Sequence, residues 1–235
     1  MLRINLVYYG RHTPEIDSRI IRAQPQYVVV NTPHGLWGEI YGNDVMQNIP
    51  TYQEAGIKII GYLTTGYEGK GSAGKIDAKW STLETNKRLI KNMAEIDKVD
   101  GVFIDECTSF PGAKAKKYLT TLTDMVHNYH LLTWGNPGEA NFDSWYFTAG
   151  AFDFMQSNEN WHGQKLSRVQ REWGSRISVT GNNPKFTAEE ALELTVNARE
   201  KGLGYCYISN SGYTELPSWL EEYTALLSKN ELFPT

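Results

Sequence analysis

Cysteine is scarce in this chain: of 235 residues, only Cys107 and Cys206 carry thiols. Their segments fall on opposite sides of the architecture inferred below, so no disulfide is expected, and without a CxxC pair there is no thiolate metal signature. No apolar run approaches the roughly 20 residues that a membrane-spanning helix needs, so membrane insertion is not expected. The first ten residues, MLRINLVYYG, lack the continuous apolar stretch and small-residue cleavage site of a secretory signal. Either a cytoplasmic protein or a trimmed secreted form is expected. A basic excess is missing too: 23 Lys and Arg stand against 27 Asp and Glu, for a net charge of −4. The basic residues are scattered rather than clustered, so nucleic acid is not an expected partner. No Pro/Ser-rich linker and no internal repeat interrupts residues 1–235, which are read as one domain and expected to act as a monomer.

What the chain does have is an alternation of short runs rich in β-branched and aromatic residues with longer segments of helical period, the pattern of βαβ units around a parallel sheet. Eight strands are predicted: Arg3 to Tyr9, Tyr27 to Asn31, Lys58 to Leu63, Gly101 to Asp105, Leu131 to Gly135, Phe152 to Ser157, Arg176 to Thr180 and Gly204 to Ser209. The clearest helical segments are Asp44 to Ala55, Thr82 to Ile96, Ala113 to Asn128, Gln164 to Glu172, Ala188 to Lys201 and Ser218 to Ser228, with weaker signals in the first and fifth intervals. Thr187 with Glu190, and Ser218 with Glu221, have capping-box spacing, and Gly202 suits a helix end. The fold class implied is α/β, a single closed (β/α)8 TIM barrel; an open doubly wound sheet shares the alternation and is the alternative.

Strands covered on both faces should be apolar, so the polar residues immediately after each run are the informative ones. They are Asn31, Thr64, Thr65, Asp105, Glu106, Asn136, Glu159, Asn182, Asn183 and Asn210, and in a barrel the carboxyl-terminal rim is where active sites are built. Thr65, Asn182 and Asn183 read as turn formers and caps. Asp105 and Glu106 do not, because no helix begins until after Pro111; their alternative role is a rim salt bridge. Glu159 follows a run two strands later, roughly 10 Å away at the usual strand spacing. Side chains leaning inward could bring it to within the roughly 5–9 Å of Asp105 that glycoside hydrolysis uses. Asn31, Asn136 and Asn210 are candidate substrate-binding groups. Aromatics are plentiful at 12%, and Tyr9, Tyr62, Trp134 and Trp161 are candidate stacking groups for a flat ligand such as a sugar, with core packing as the alternative.

Other chemistries are poorly supported. Gly69, Gly74 and Lys75 match the first part of a phosphate loop, GxxxxGK, and GVFIDE at Gly101 to Glu106 is like an acidic magnesium-binding strand, but Ile76 stands where the loop needs Ser or Thr. The five histidines contain no His-X-His pair; His127 and His130 read as a solvated pair on one helix face rather than a zinc site. No GxSxG elbow is present, and Cys107 has no recognisable His partner. Paired carboxylates remain.

Taken in order, VVVNTP at Val28 to Pro33, IIGYLTTGY at Ile59 to Tyr67, VDGVFIDE at Val99 to Glu106, GNPG at Gly135 to Gly138, FDFMQSNE at Phe152 to Glu159 and GYCYIS at Gly204 to Ser209 resemble the spherulin-4-like glycoside hydrolases. That group includes fungal hydrolases of N-acetylgalactosamine-containing polysaccharide. The resemblance implies a cofactor-free (β/α)8 barrel acting endo on an amino-sugar polysaccharide or oligosaccharide. Asp105 would be the nucleophile and Glu159 the acid and base of a retaining mechanism, with Glu106 as the second acid of the Asp-Glu pair. Where the family tends to have Phe before the strand-six Glu and Gly-Pro-Gly after strand two, this chain has Asn158 and HGLWG at His34 to Gly38. A Glu159 carboxyl set beside Trp161 and near a second negative charge is expected to have its pKa raised, as a general acid requires.

Overall fold

The computed structural model describes residues 3–42, 45–70 and 77–229. All eight expected strands form, as β1 (Arg3–Tyr8), β2 (Tyr27–Val30), β3 (Lys58–Thr64), β4 (Gly101–Asp105), β5 (Leu132–Gly135), β6 (Phe154–Gln156), β7 (Ile177–Asn182) and β8 (Tyr205–Ser209). Each pairs in parallel with the next, and β1 pairs with β8 through Arg3 with Tyr205 and Ile4 with Cys206, so the sheet closes in the order β1 to β8. Closure excludes the open doubly wound alternative.

Around the barrel run α1 (Pro14–Ala23), α2 (Leu36–Tyr41), α3 (Ile49–Glu54), the single turn α4 (Gly66–Gly69), α5 (Leu83–Asn92), α6 (Ala113–Asn128), α7 (Trp145–Thr148), α8 (Arg168–Trp173), α9 (Ala188–Glu200) and α10 (Leu220–Lys229). Local chemistry sets several of these ends. Thr13 accepts from the Ile16 N–H ahead of Pro14, which is preset for a first helical turn. The Thr187–Glu190 box closes in both directions, and Gly202 follows with φ 80°. A box not foreseen, Ser167 with Gln170, starts α8 at Arg168 rather than near Gln164. The box expected at Ser218 is replaced, because Glu221 turns to Arg19 in a bidentate pair at 2.8 and 2.9 Å. That guanidinium holds the Glu221 carboxyl down at about 2.

Two segments depart from the sequence pattern. Of the expected helix Asp44 to Ala55, Asp44 lies outside the described residues and the helix begins only at Ile49, while an unforeseen α2 starts within HGLWG, at Leu36, and runs through Gly38. The helix expected to run to Ile96 loosens into a π turn over Met93–Asp97, which brings Asp97 under the Pro33–Gly35 loop. His130 has left α6 with φ 59°, so it does not share a helix face with His127, whose ring contacts Thr133 and Asp153. Gly74 and Lys75 of the phosphate-loop match lie outside the described residues.

The strands are apolar on both faces because helices cover the outside and side chains fill the inside. Tyr27, Trp134, Phe154 and Tyr205 form a four-ring floor with centroids 4.9 to 6.0 Å apart. This plug closes the amino-terminal end of the barrel, leaving its carboxyl-terminal mouth for chemistry. Both cysteines are buried and free, and among the described residues no helix is long and apolar enough to cross a membrane.

The α9 box closes between two residues of one helical turn, Thr187 and Glu190, and gives a direct test of its worth. Thr187→Ala should lower stability by about 1 kcal/mol, a fall in melting temperature of about 2–4 °C for a chain of this size, read by thermal unfolding. A change under 0.5 °C would mean that the box contributes little.

Candidate active site

Asp105 is the last residue of β4, and the β4–β5 register sets Ile104 opposite Gly135, so Asn136 comes level with Asp105 on the next strand. Glu159 stands three residues beyond β6. Three adjacent strands thus deliver two carboxylates with an amide between them. The Asn136 Nδ2 donates to Asp105 Oδ1 at 2.7 Å and to Glu159 Oε1 at 2.8 Å. Those two oxygens therefore lie no further apart than the two bonds laid end to end, 5.5 Å. The amide cannot be reversed, since its Oδ1 accepts from the Gly138 N–H at 2.9 Å and carboxylates only accept. Here the GNPG segment finds its use: Gly138, at φ 72°, turns its N–H back onto Asn136.

Asp105 is held at both oxygens. Oδ1 also accepts from the Glu106 N–H at 2.8 Å, and Oδ2 accepts from the Tyr62 hydroxyl at 2.8 Å. Burial pushes its pKa up to about 6; the bonds from Tyr62 and the Glu106 N–H pull it down, and the charges of Glu159 and Glu106 push it up. Burial also holds the Tyr62 and Tyr9 phenols far above their ordinary value, so both remain donors. Desolvation therefore acts on Asp105. Glu159 is exposed at the mouth, and the Trp161 ring meant to wall it off is packed elsewhere.

The neighbouring backbone is bent into the left-handed region at Glu106 (φ 55°), Tyr67 (φ 53°), Glu68 (φ 57°) and Asn158 (φ 67°). Such conformations cost non-glycine residues about 1–3 kcal/mol each and persist only where surroundings enforce them. The enforcing bonds are visible. Tyr67 N–H and Thr65 Oγ1 donate to the Glu106 carbonyl, and the Glu68 carboxylate accepts from Thr108 N–H and Oγ1. The turns after β3 and β4 clamp each other. Asn158 suits its position because Asn tolerates this conformation, and its Oδ1 accepts from the Asn160 N–H. Glu106 reaches back to accept from the Thr64 hydroxyl, on the side away from Glu159.

The carboxylates line a cavity of about 160 Å³ with Tyr9, Gln156, Thr180 and Tyr213. Gln156 Nε2 donates to Thr180 Oγ1, which bonds the Tyr213 hydroxyl, while the buried Gln156 Oε1 has no protein partner. Larger hollows, the first of about 690 Å³, open near the amino-terminal ends of the strands. The carboxylate in that first hollow, Glu221, is already paired with arginines, so the smaller cavity is the one with unspent acid chemistry. Among the described residues no group of three or more His, Cys, Asp or Glu side chains is placed to hold a metal ion.

The other expected groups are dispersed. Tyr9 and Tyr62 meet edge to face beside Asp105, at 5.1 Å between centroids. Trp134 belongs to the barrel floor at 0% exposure, and Trp161, 1% exposed, gives its indole N–H to Leu194 O behind the barrel wall. Neither offers a face to the cavity, because in each case the largest apolar surface goes to the core. Asn31 supports Tyr9 by donating to its carbonyl, and Asn210 reaches Ser218 at 3.4 Å, outside the cavity. Asn182 and Asn183 are turn formers, accepting from Gly212 and Lys185 N–H groups. Sequence reasoning missed Gln156, a polar residue inside an apolar strand, which was a usable signal. It also missed Tyr213, four residues beyond β8, where a strand-end rule does not reach.

The model of the Spherulin4 family, described as spherulation-specific family 4, matches residues 18–227. No curated protein matches the sequence. Among solved structures, Sph3 of Aspergillus clavatus in complex with GalNAc superposes with a TM-score of 0.69 at 15% identity, over 97% of both chains. The spore cortex-lytic enzyme SleL of Bacillus megaterium gives 0.60 at 10% identity, over 97% of this chain and 74% of that one. The α-L-fucosidase AlfC of Lactobacillus casei, in complex with α-L-fucose, gives 0.55 at 14% identity, over 98% and 83%. At these identities the likeness is one of fold.

Because Asp105 is raised from 3.8 to about 6, the folded protein keeps its proton over a window in which the unfolded chain has released it. The wild type should therefore lose stability as pH rises from about 4 through about 6, and Asp105→Asn should not. The melting-temperature advantage of Asp105→Asn is expected to grow across that window and level off above it. A difference independent of pH would mean that Asp105 titrates like an exposed carboxyl.

Proposed function

The chain belongs to spherulation-specific family 4, and on that premise we propose that it is a retaining, endo-acting glycoside hydrolase of an amino-sugar polysaccharide of the N-acetylgalactosamine or galactosamine type. The observation that carries this reading is the Asp105–Asn136–Glu159 bridge, whose two carboxylate oxygens are at most 5.5 Å apart. Retaining enzymes use a separation of about 5–5.5 Å, whereas inverting ones need about 6.5–9.5 Å to admit a water. The GalNAc bound by Sph3 supports the choice of sugar class.

Asp105 suits the nucleophile. Three donors fix its oxygens, and it is less exposed than Glu159. Glu159 suits the acid and base, because its exposure lets it exchange protons with water and lets a leaving group depart past it. In the first step an Asp105 oxygen bonds to the anomeric carbon while the glycosidic C–O bond breaks, and Glu159 gives its proton to the departing oxygen. In the second, Glu159 takes a proton from water, whose oxygen displaces Asp105 and releases the sugar with its anomeric configuration kept. Asn136, donating to both carboxylates, tempers their repulsion through both steps. No step calls for a cofactor, so activity should survive exhaustive chelation.

A catalytically silent barrel that only binds carbohydrate is the second reading, favoured by the small size of the cavity. Turnover separates the two. Asp105→Asn and Glu159→Gln should each lower kcat on an amino-sugar oligosaccharide by about 10²–10⁴-fold while binding persists. Because kcat/KM follows ionisations of the free enzyme, it should rise with pH through about 6 as Asp105 ionises. A fall through that pH would exchange the two roles, and an inverted first product, seen by proton NMR, would remove Asp105 as nucleophile.

A further inference from the structure

Phe103, Tyr62, Trp37 and Tyr41 form a ladder of stacked rings that runs from the barrel to the surface. Successive centroids are 6.2, 6.4 and 5.2 Å apart, with interplanar angles of 20°, 30° and 11°. Its inner rungs belong to the site, since Phe103 lines the cavity and Tyr62 holds Asp105. Its outer rung, Tyr41, is 64% exposed. Of the three exposed large apolar side chains among the described residues, Tyr41, Ile96 and Phe110, Tyr41 is the one stacked on other rings. Among the described residues the Trp37 indole N–H and the Tyr41 hydroxyl have no protein partner.

The platform is built rather than loose. The His34 backbone N–H and ring bond to both oxygens of the buried Asp97, at 3.1 and 2.7 Å. Arg88 and Asn92 fasten Glu39. Gly38 is pressed so closely on the preceding turn that a Cβ would lie 2.1 Å from the Pro33 carbonyl oxygen. Gly42, at φ 68°, caps the helix back to Gly38. Rings held this way lose little freedom when a ligand stacks on them. Trp37, Tyr41 and the turn that carries them lie in HGLWG and the residues just after it, the stretch where the chain departs from the family pattern.

Accepting the proposed polysaccharide substrate, we propose that Trp37 and Tyr41 form an outer subsite that stacks a further amino-sugar ring of the same chain. The catalytic cavity, about 160 Å³, is smaller than the roughly 300 Å³ at which pockets for whole ligands begin, so most of a polymer must lie along the rim. The ladder is the continuous apolar path leading from Asp105 onto that rim. A pyranose presents its C–H face to the Tyr41 ring and its hydroxyls to the free Trp37 N–H and Tyr41 O–H, and an unacetylated amine adds attraction to the ring face.

The test is Tyr41→Ala and Tyr41→Phe in the full chain, assayed on galactosamine-type oligosaccharides of increasing length and on a short aryl glycoside. Tyr41→Ala should lower kcat/KM on long oligosaccharides by about 3–10-fold, mainly through KM, and leave the aryl glycoside unchanged; Tyr41→Phe should keep most of the wild-type value. Equal loss on short and long substrates, or no loss on long ones, overturns the subsite. If the wild type cleaves none of these substrates, the reading of the active site has failed, and the shelf is judged by calorimetric binding of the longest oligosaccharide. Weakening by Tyr41→Ala of 3-fold or more supports it; undiminished binding, or none by the wild type, overturns it.

Discussion

One amide group ties the site together. Asn136 donates both protons of a single nitrogen to Asp105 and Glu159, and everything about the pair follows from that sharing. Two carboxylates at this distance repel each other, and a positive charge between them would hold both in fixed ion pairs. A neutral double donor lowers the repulsion without neutralising either group. The arrangement is available only because β4, β5 and β6 are consecutive and parallel, with a register that puts Asn136 level with Asp105. Barrel closure is therefore part of the site's chemistry, not merely its support.

Burial acts unevenly on this pair. Asp105 is desolvated against Tyr62 and Phe103, while Glu159 rises on a left-handed residue, Asn158, beyond the strand end and reaches water. The asymmetry gives two groups of the same chemical type different surroundings. The same division appears in the aromatics: Trp134 and its three companions seal the barrel floor, Trp161 backs the wall, and Tyr9, Phe103 and Tyr213 line the cavity. The strained turns after β3 and β4 are tolerated because each supplies the hydrogen bonds that hold the other.

The sequence by itself determined the α/β layering, and the β1–β8 pairing decided that the sheet closes. Its eight β-rich runs and the helical period between them require a parallel sheet covered on both faces, and the polar residue closing each run marks the rim. Asp105, Asn136 and Glu159 were legible for that reason, as was the α9 capping box, whose partners are three residues apart. What only the tertiary structure decided depends on distance across the chain. Whether a Trp faces a cavity or the core, whether Glu221 caps its own helix or binds Arg19, and how far Asp105 is desolvated are settled by neighbours about 30 to 200 positions away. Local pattern fixes which residues sit at the rim; packing between remote segments fixes how far each is removed from water, and for Asp105 that sets its pKa.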